Sequence, residues 1–212
     1  MIEKCTISFD GFNSERDLGL TLIKRDIGSP DAQTAYIEIP GRSGLLDVSE
    51  AIAGYPTYGK RKLKFQFFYA GEDQETVRSA VFDTLHGRRK EISVDGIPGY
   101  FTGRVSVEAD DDIPGYMTFD VTADCDPYRL DDAETVVKKA ISGSGVLTCK
   151  VSGMPVEPTV TLSADMALST QGKTFNLKAG TRDLGVVWVP GSYDVTVTGT
   201  GDVSIKWRGG QL

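Results

Sequence analysis

The side chains of this chain that could do chemistry do not gather into a reacting set. The single histidine, His86, falls in the last turn of a helical pattern, where a positive charge would meet the negative end of the helix dipole, and no serine or cysteine dyad is suggested. Glu108, Asp110, Asp111 and Asp112 could offer oxygens to calcium. The run lacks the spaced ligands and terminal bidentate glutamate of a calcium loop, so it reads as a solvated hairpin tip. A glycosidase needs two carboxylates facing each other across a cleft, and nothing in the order of residues sets any two of the many present in that way. Gly41-Arg42-Ser43-Gly44 and Gly143-Ser144-Gly145 lack the lysine of a phosphate loop, the dinucleotide spacing and the nucleophile elbow, and read as turns. Cys5, Cys125 and Cys149 are odd in number and without metal-ligand spacing, which points to free, mostly buried thiols in a reducing compartment. Cys5 and Cys125 would come close only if the ends of the first segment meet. The chain is therefore read as no enzyme, with no catalytic residue, cofactor or metal.

The elements that would position such residues are strands. Ile2 to Phe9 alternates, Leu18 to Lys24 is apolar at every second position, and Ala35, Ile37 and Ile39 alternate with Tyr36 and Glu38. Leu63, Phe65, Phe67 and Tyr69 repeat the pattern. Asp73 is placed to cap a helix of roughly 13 residues whose inner positions are Val77, Ala80, Val81 and Leu85, with Gly87 as its stop and Arg88, Arg89 and Lys90 beyond. Glu91 to Val94, Tyr100 to Glu108 and Gly115 to Ala123 read as strands, the last two a hairpin around Asp110 to Pro114. Past Asp126-Pro127-Tyr128 helical periodicity disappears. Short strands are expected at Thr135 to Ile141, Val146 to Val151, Thr159 to Ser163, Thr174 to Lys178, Gly185 to Val189, Tyr193 to Thr198 and Val203 to Trp207. That spacing describes a β-sandwich. The fold class is mainly β in two domains, 1–130 with one α-helix and a long inter-strand loop, and 131–212 a sandwich.

Charge separates the same two parts. Of 212 residues with a net charge of −7, the first 130 hold 15 Lys and Arg against 22 Asp and Glu, while the remainder hold 8 of each. An acidic first part has no basic stripe for nucleic acid; it suits solubility, or a wall that nucleic acid passes without sticking. No apolar run approaches the roughly 18 residues of a membrane helix, and the N-terminal residues lack the apolar block of a secretion signal. Trp188, Tyr193, Trp207 and Phe175 could stack on sugar rings, but so small a domain needs its large side chains inside.

Ile39 to Arg61 joins two strands expected to pair, and a connection of roughly twenty residues between such strands is uncommon unless it carries function. It holds no chemistry, yet Leu45, Leu46, Val48, Ala51 and Ile52 are apolar where a loop should be solvated. Exposed apolar side chains of that kind mark an assembly contact. Leu45, Leu46, Val48, Ile52 and Tyr58 are the candidate interface residues.

Ile39-Pro40-Gly41-Arg42-Ser43-Gly44-Leu45-Leu46-Asp47, then Tyr58-Gly59-Lys60-Arg61 entering an aromatic strand, Asp126-Pro127-Tyr128 at the boundary, and Ile205-Lys206-Trp207-Arg208-Gly209-Gly210-Gln211-Leu212 at the end together resemble the distal tail proteins (Dit) of long non-contractile-tailed bacteriophages. The resemblance runs through the chain in order. It implies a tail-tube-like belt domain forming a homohexameric ring around the DNA passage, and a galectin-like sandwich outside it. Implied partners are other copies of the chain, the major tail or tube protein and a tail-associated hub protein. No specific nucleic-acid binding and no membrane contact are implied, and the place of action is the virion tail of a phage or prophage, assembled in the bacterial cytoplasm. Two other classes stay open: a carbohydrate-binding module for a host wall polymer, which needs exposed aromatics on a sandwich face, and a cell-wall hydrolase, which needs a cleft with paired carboxylates.

Overall fold

A computed structural model describes residues 5–110 and 116–212. Ile2 to Lys4 of the first expected strand, and Asp111 to Gly115 of the acidic hairpin tip, lie outside the described residues. The chain divides into two compact units, Met1–Arg129 with Leu212, and Leu130–Gln211.

The first unit holds β1 (Ile7–Phe9), β2 (Phe12–Asn13), β3 (Thr21–Ile27), β4 (Tyr36–Glu38), β5 (Leu45–Asp47), β6 (Arg61–Ala70), α1 (Gln74–Leu85), β7 (Arg89–Val94), β8 (Phe101–Asp110) and β9 (Tyr116–Cys125). Seven of these make an antiparallel sheet in the order β2-β1-β7-β8-β9-β6-β3. Period-two alternation in β6 is the reason it lies inside that sheet: Leu63, Phe65 and Phe67 are buried while Lys62 and Lys64 are exposed. It pairs with β9 along its whole length, from Arg61 opposite Cys125 to Ala70 opposite Tyr116. Phe9 and Phe65 meet edge to face at 6.3 Å within the core.

Helix α1 packs on β8 through Val81 and Leu85, both fully buried. Ala80, expected inside, is exposed, and Phe82 is half-buried instead. Asp73 stands at the N-cap without a side-chain capping bond. His86 sits just past the last turn, where its Nδ1 accepts the Val107 N–H at 3.1 Å and its ring stacks on Phe82 at 5.2 Å. The ring ties the helix end to β8, a structural use that leaves Nδ1 engaged. Arg88 donates through Nε to the helical carbonyl of Asp83 at 2.8 Å, which satisfies one terminal acceptor.

The second unit follows the short β10 (Arg129–Leu130) and contains β11 (Thr135–Val151), β12 (Thr159–Leu162), β13 (Met166–Thr170), β14 (Lys173–Leu177), β15 (Gly180–Asp183), β16 (Gly191–Trp207) and the short β17 (Gly210–Gln211). Four of the expected strands are here two. β11 and β16 pair without interruption from Thr135 opposite Trp207 to Val151 opposite Gly191, so Gly143-Ser144-Gly145 lies within a strand rather than a turn. β16 serves two sheet limbs: Thr196 to Thr198 pair with β13, and Val203 to Lys206 with β12. Gly199 and Gly201 between the limbs take φ of 144° and 146°, a bend that side chains with a Cβ rarely adopt. A Cβ on Gly201 would also lie 2.6 Å from Met166 Cε. β11 to β16 belong to one hydrogen-bonded sheet, and the buried residues of its strands make the second core. Val195, Val197, Val203 and Ile205 supply its centre.

Gly185 to Val189, expected as a strand, makes only a bridge from Val156 to Trp188. Trp188 is nonetheless fully buried. Its ring stacks on Tyr193 at 5.0 Å and meets Trp207 edge-on at 5.9 Å.

Candidate functional site: an exposed β-ribbon arm

The sequence places Ile39 to Arg61 as a loop between the strand of Ala35 to Ile39 and β6, two strands expected to pair, and the structure corrects this. β4 does not pair with β6. It pairs with β5, Tyr36 opposite Asp47, Ile37 opposite Leu46 and Glu38 opposite Leu45, while β6 is flanked by β3 and β9. The short alternation of Leu45 to Asp47, preceded by Pro40-Gly41 and Gly44, was the available signal for a hairpin. Gly41 and Gly44 take φ of 82° and 79° at its tip, and Arg42 N–H donates to Ile39 O at 3.1 Å.

Backbone bonds extend the ribbon down to the sheet. Val48 N–H donates to Ala35 O at 2.9 Å, Gln33 N–H to Thr57 O at 2.8 Å, and Gly59 N–H to Asp31 O at 2.8 Å. Ala32 bridges Tyr58. Ser49 crosses the ribbon by accepting the Ala35 N–H at 2.9 Å. Its hydroxyl and N–H both donate to Asp47 and hold that carboxyl below its ordinary range. Residues 31–59 thus form a two-stranded arm rooted where β3 ends and β6 begins.

The five candidate interface residues divide between tip and root. Leu45 is 59% exposed and Ile52 fully so, whereas Leu46 and Val48 are half-buried. Tyr58 is an anchor at the root: half-buried, it meets the Tyr128 ring edge-on at 5.9 Å. Burial, with Tyr58 and Tyr55 beside it, raises the phenol of Tyr128. Tyr36, Ile37 and Ile39, not among the sequence candidates, are exposed on the strand facing Leu45. They are found only once β4 is known to pair with β5. A ribbon of two strands covers neither of its own faces and is marginal alone in water, so apolar residues on both faces point to a partner surface.

The other candidates resolve into structure. All three cysteines are free, Cys125 and Cys149 buried and Cys5 half-buried. Burial pushes the Cys125 thiol up to about 12 and the Cys149 thiol up to about 11. Trp188, Trp207, Phe175 and Tyr193 all pack in or against the second core, which removes them as a stacking platform for sugars. Lys62 and Lys64 share the solvent face of β6. Lys62 lies 3.9 Å from Asp124, and Lys64 stands opposite Asp26 and Thr122. Among the described residues, no three or more His, Cys, Asp or Glu side chains are grouped to hold a metal ion, and no helix is long and apolar enough to cross a membrane.

No protein-family model matches the chain, and no curated protein matches it. Among solved structures, the conserved protein of unknown function PA5104 from Pseudomonas aeruginosa PAO1 aligns with 90% of this chain and 100% of its own, at 13% identity and a TM-score of 0.28. So low a score carries no argument. The crystal structure of the SPP1 Dit (gp 19.1) protein, described as a paradigm of the hub adsorption apparatus in phages infecting Gram-positive hosts, aligns with 98% of this chain and 99% of its own, at 15% identity and a TM-score of 0.66. End to end, the fold of this chain is that of the SPP1 Dit protein.

Proposed function

We propose that this chain is a structural component of a phage or prophage tail tip, a hub ring of six copies that joins the tail tube to baseplate or fibre proteins. The observation that carries the reading is the fold shared with a phage hub protein over the full length of both chains. The arm supplies the physical means. A ring needs a heterologous contact that closes by rotation, and an arm that leaves the body of its own unit with apolar side chains uncovered can make one. In this reading the first unit is the belt and the second a galectin-like sandwich. The tube protein and a tail-associated hub protein dock on the ring's two sides, and DNA passes through without specific binding. The chain works in the virion tail after assembly in the host cytoplasm, without catalysis or cofactor. Electron microscopy and light scattering of the purified protein test this: six-membered rings, single or stacked, are expected, and a strict monomer at every concentration, with tube and hub partners present, overturns it.

A further inference from the structure

Arg61, the first residue of β6, carries a positive charge into the end of the first core. Alternation puts it on the inner face of the strand with Leu63 and Phe65, and it is only 7% exposed. Its guanidinium carbon lies 5.3 Å from the centre of the Phe101 ring, and its Nε is buried with no acceptor. Among the described residues, no hydrogen bond or ion pair ends on its two terminal nitrogens. The groups beside it bring no free negative charge. Cys125 stands directly opposite, and burial pushes its thiol up to about 12, so it stays neutral. Asp126 is paired with Arg89, and Asp124 lies 3.9 Å from Lys62. Burial, and after it the positive charge of Arg129, hold the Arg61 guanidinium below its ordinary value. A buried charge without a counter-charge destabilises the fold that holds it. A residue needed only to close this end of the core would be apolar.

We propose that Arg61 is a receptor for a single carboxylate brought by another protein chain, which meets the terminal nitrogens of a guanidinium that Phe101 holds in place. The planar fork of arginine matches the two oxygens of a carboxylate, and a ring against its face leaves its edge to bind. The first 130 residues carry 22 Asp and Glu against 15 Lys and Arg, so a polyanion such as duplex DNA is repelled, while one carboxylate on a folded partner brings little charge past that surface. The inference does not depend on the ring: the carboxylate can belong to a second copy of this chain or to a different protein, and the chemistry is the same.

Acetate is the probe that tests it. In isotope-labelled protein, the Nε–H resonance of Arg61, assigned by its loss in Arg61→Met, should shift and saturate as acetate replaces chloride at constant ionic strength, while the other arginine resonances stay in place. Arg61→Met should melt no lower than the parent, because it removes a buried charge that nothing in the fold pairs. Light scattering of the same variant distinguishes the two sources: association weakened about tenfold assigns the carboxylate to a second copy, and unchanged association assigns it to a different protein. An Arg61 resonance that ignores acetate, or answers chloride equally, overturns the receptor and leaves the ring reading standing. A variant that melts several degrees lower overturns it too, since the charge would then be satisfied within the fold.

Discussion

Replacing Leu45 and Leu46 with aspartate should abolish self-association and leave the fold in place. Full burial of a leucine contributes about 1.5–3 kcal/mol. Leu45 is 59% exposed in the single chain, so covering the rest at a contact contributes about 1–2 kcal/mol. Aspartate forfeits that and adds the cost of desolvating a carboxylate with no partner, for a total of about 3–5 kcal/mol at each contact. Association should weaken by roughly a hundredfold to a thousandfold or more. Leu45 makes little of the fold, so thermal melting should move by no more than about 0.5 kcal/mol on its account. Sedimentation or light scattering over a hundredfold range of concentration, alongside circular dichroism melting, reads both. If the double variant also melts early, because half-buried Leu46 faces Ile37 across the ribbon, then Ile52→Asp separates the two effects, since that side chain is 102% exposed. Variants that melt like the parent and assemble at the same concentration would refute the arm as the contact.

Thiol labelling should report one reactive cysteine, Cys5, in the native protein and three after denaturation, counted by mass spectrometry. Because burial raises Cys125 to about 12 and Cys149 to about 11 from the ordinary thiol value of 9.0, the unfolded chain loses thiol protons that the fold retains. Stability should therefore fall as pH climbs from about 9 toward 12, measurable as a decline in the urea midpoint. His86→Ala should strand the buried Val107 N–H and cost the first unit about 1–2 kcal/mol in a melting experiment. Gly201→Ala, at φ 146° and 2.6 Å from Met166 Cε, should cost the second unit about 1–3 kcal/mol while the first keeps its melting temperature.

What the sequence made legible was the pattern written by burial on one face. Leu63, Phe65 and Phe67 have no other reading than a half-buried strand, and Val81 with Leu85 places the helix against the sheet. What it concealed was decided by partners distant in sequence. Gly143 and Gly199 look like strand ends because a glycine cluster usually breaks a ladder, yet here each lies inside a long strand, and Gly199 sits in β16 between its pairings with β13 and with β12. β4 alternates like any sheet strand, and only its pairing with β5 reveals that it left the sheet. Trp188 was assignable to the core by size, although the strand expected to carry it is a single bridge.

The site itself was legible as composition and not as shape. Apolar residues at the surface are ordinary when scattered, so Leu45 or Ile52 alone would mean little. Twelve large hydrophobic residues are exposed in all among the described residues, and five of them, Tyr36, Ile37, Ile39, Leu45 and Ile52, fall within residues 36–52. Chance does not put that share on a tenth of the chain, and folding does not require it, because the first core is closed without the arm. The arm carries Asp31, Glu38, Asp47 and Glu50 against Arg42, so like-charge repulsion opposes any self-contact that its apolar side chains would favour.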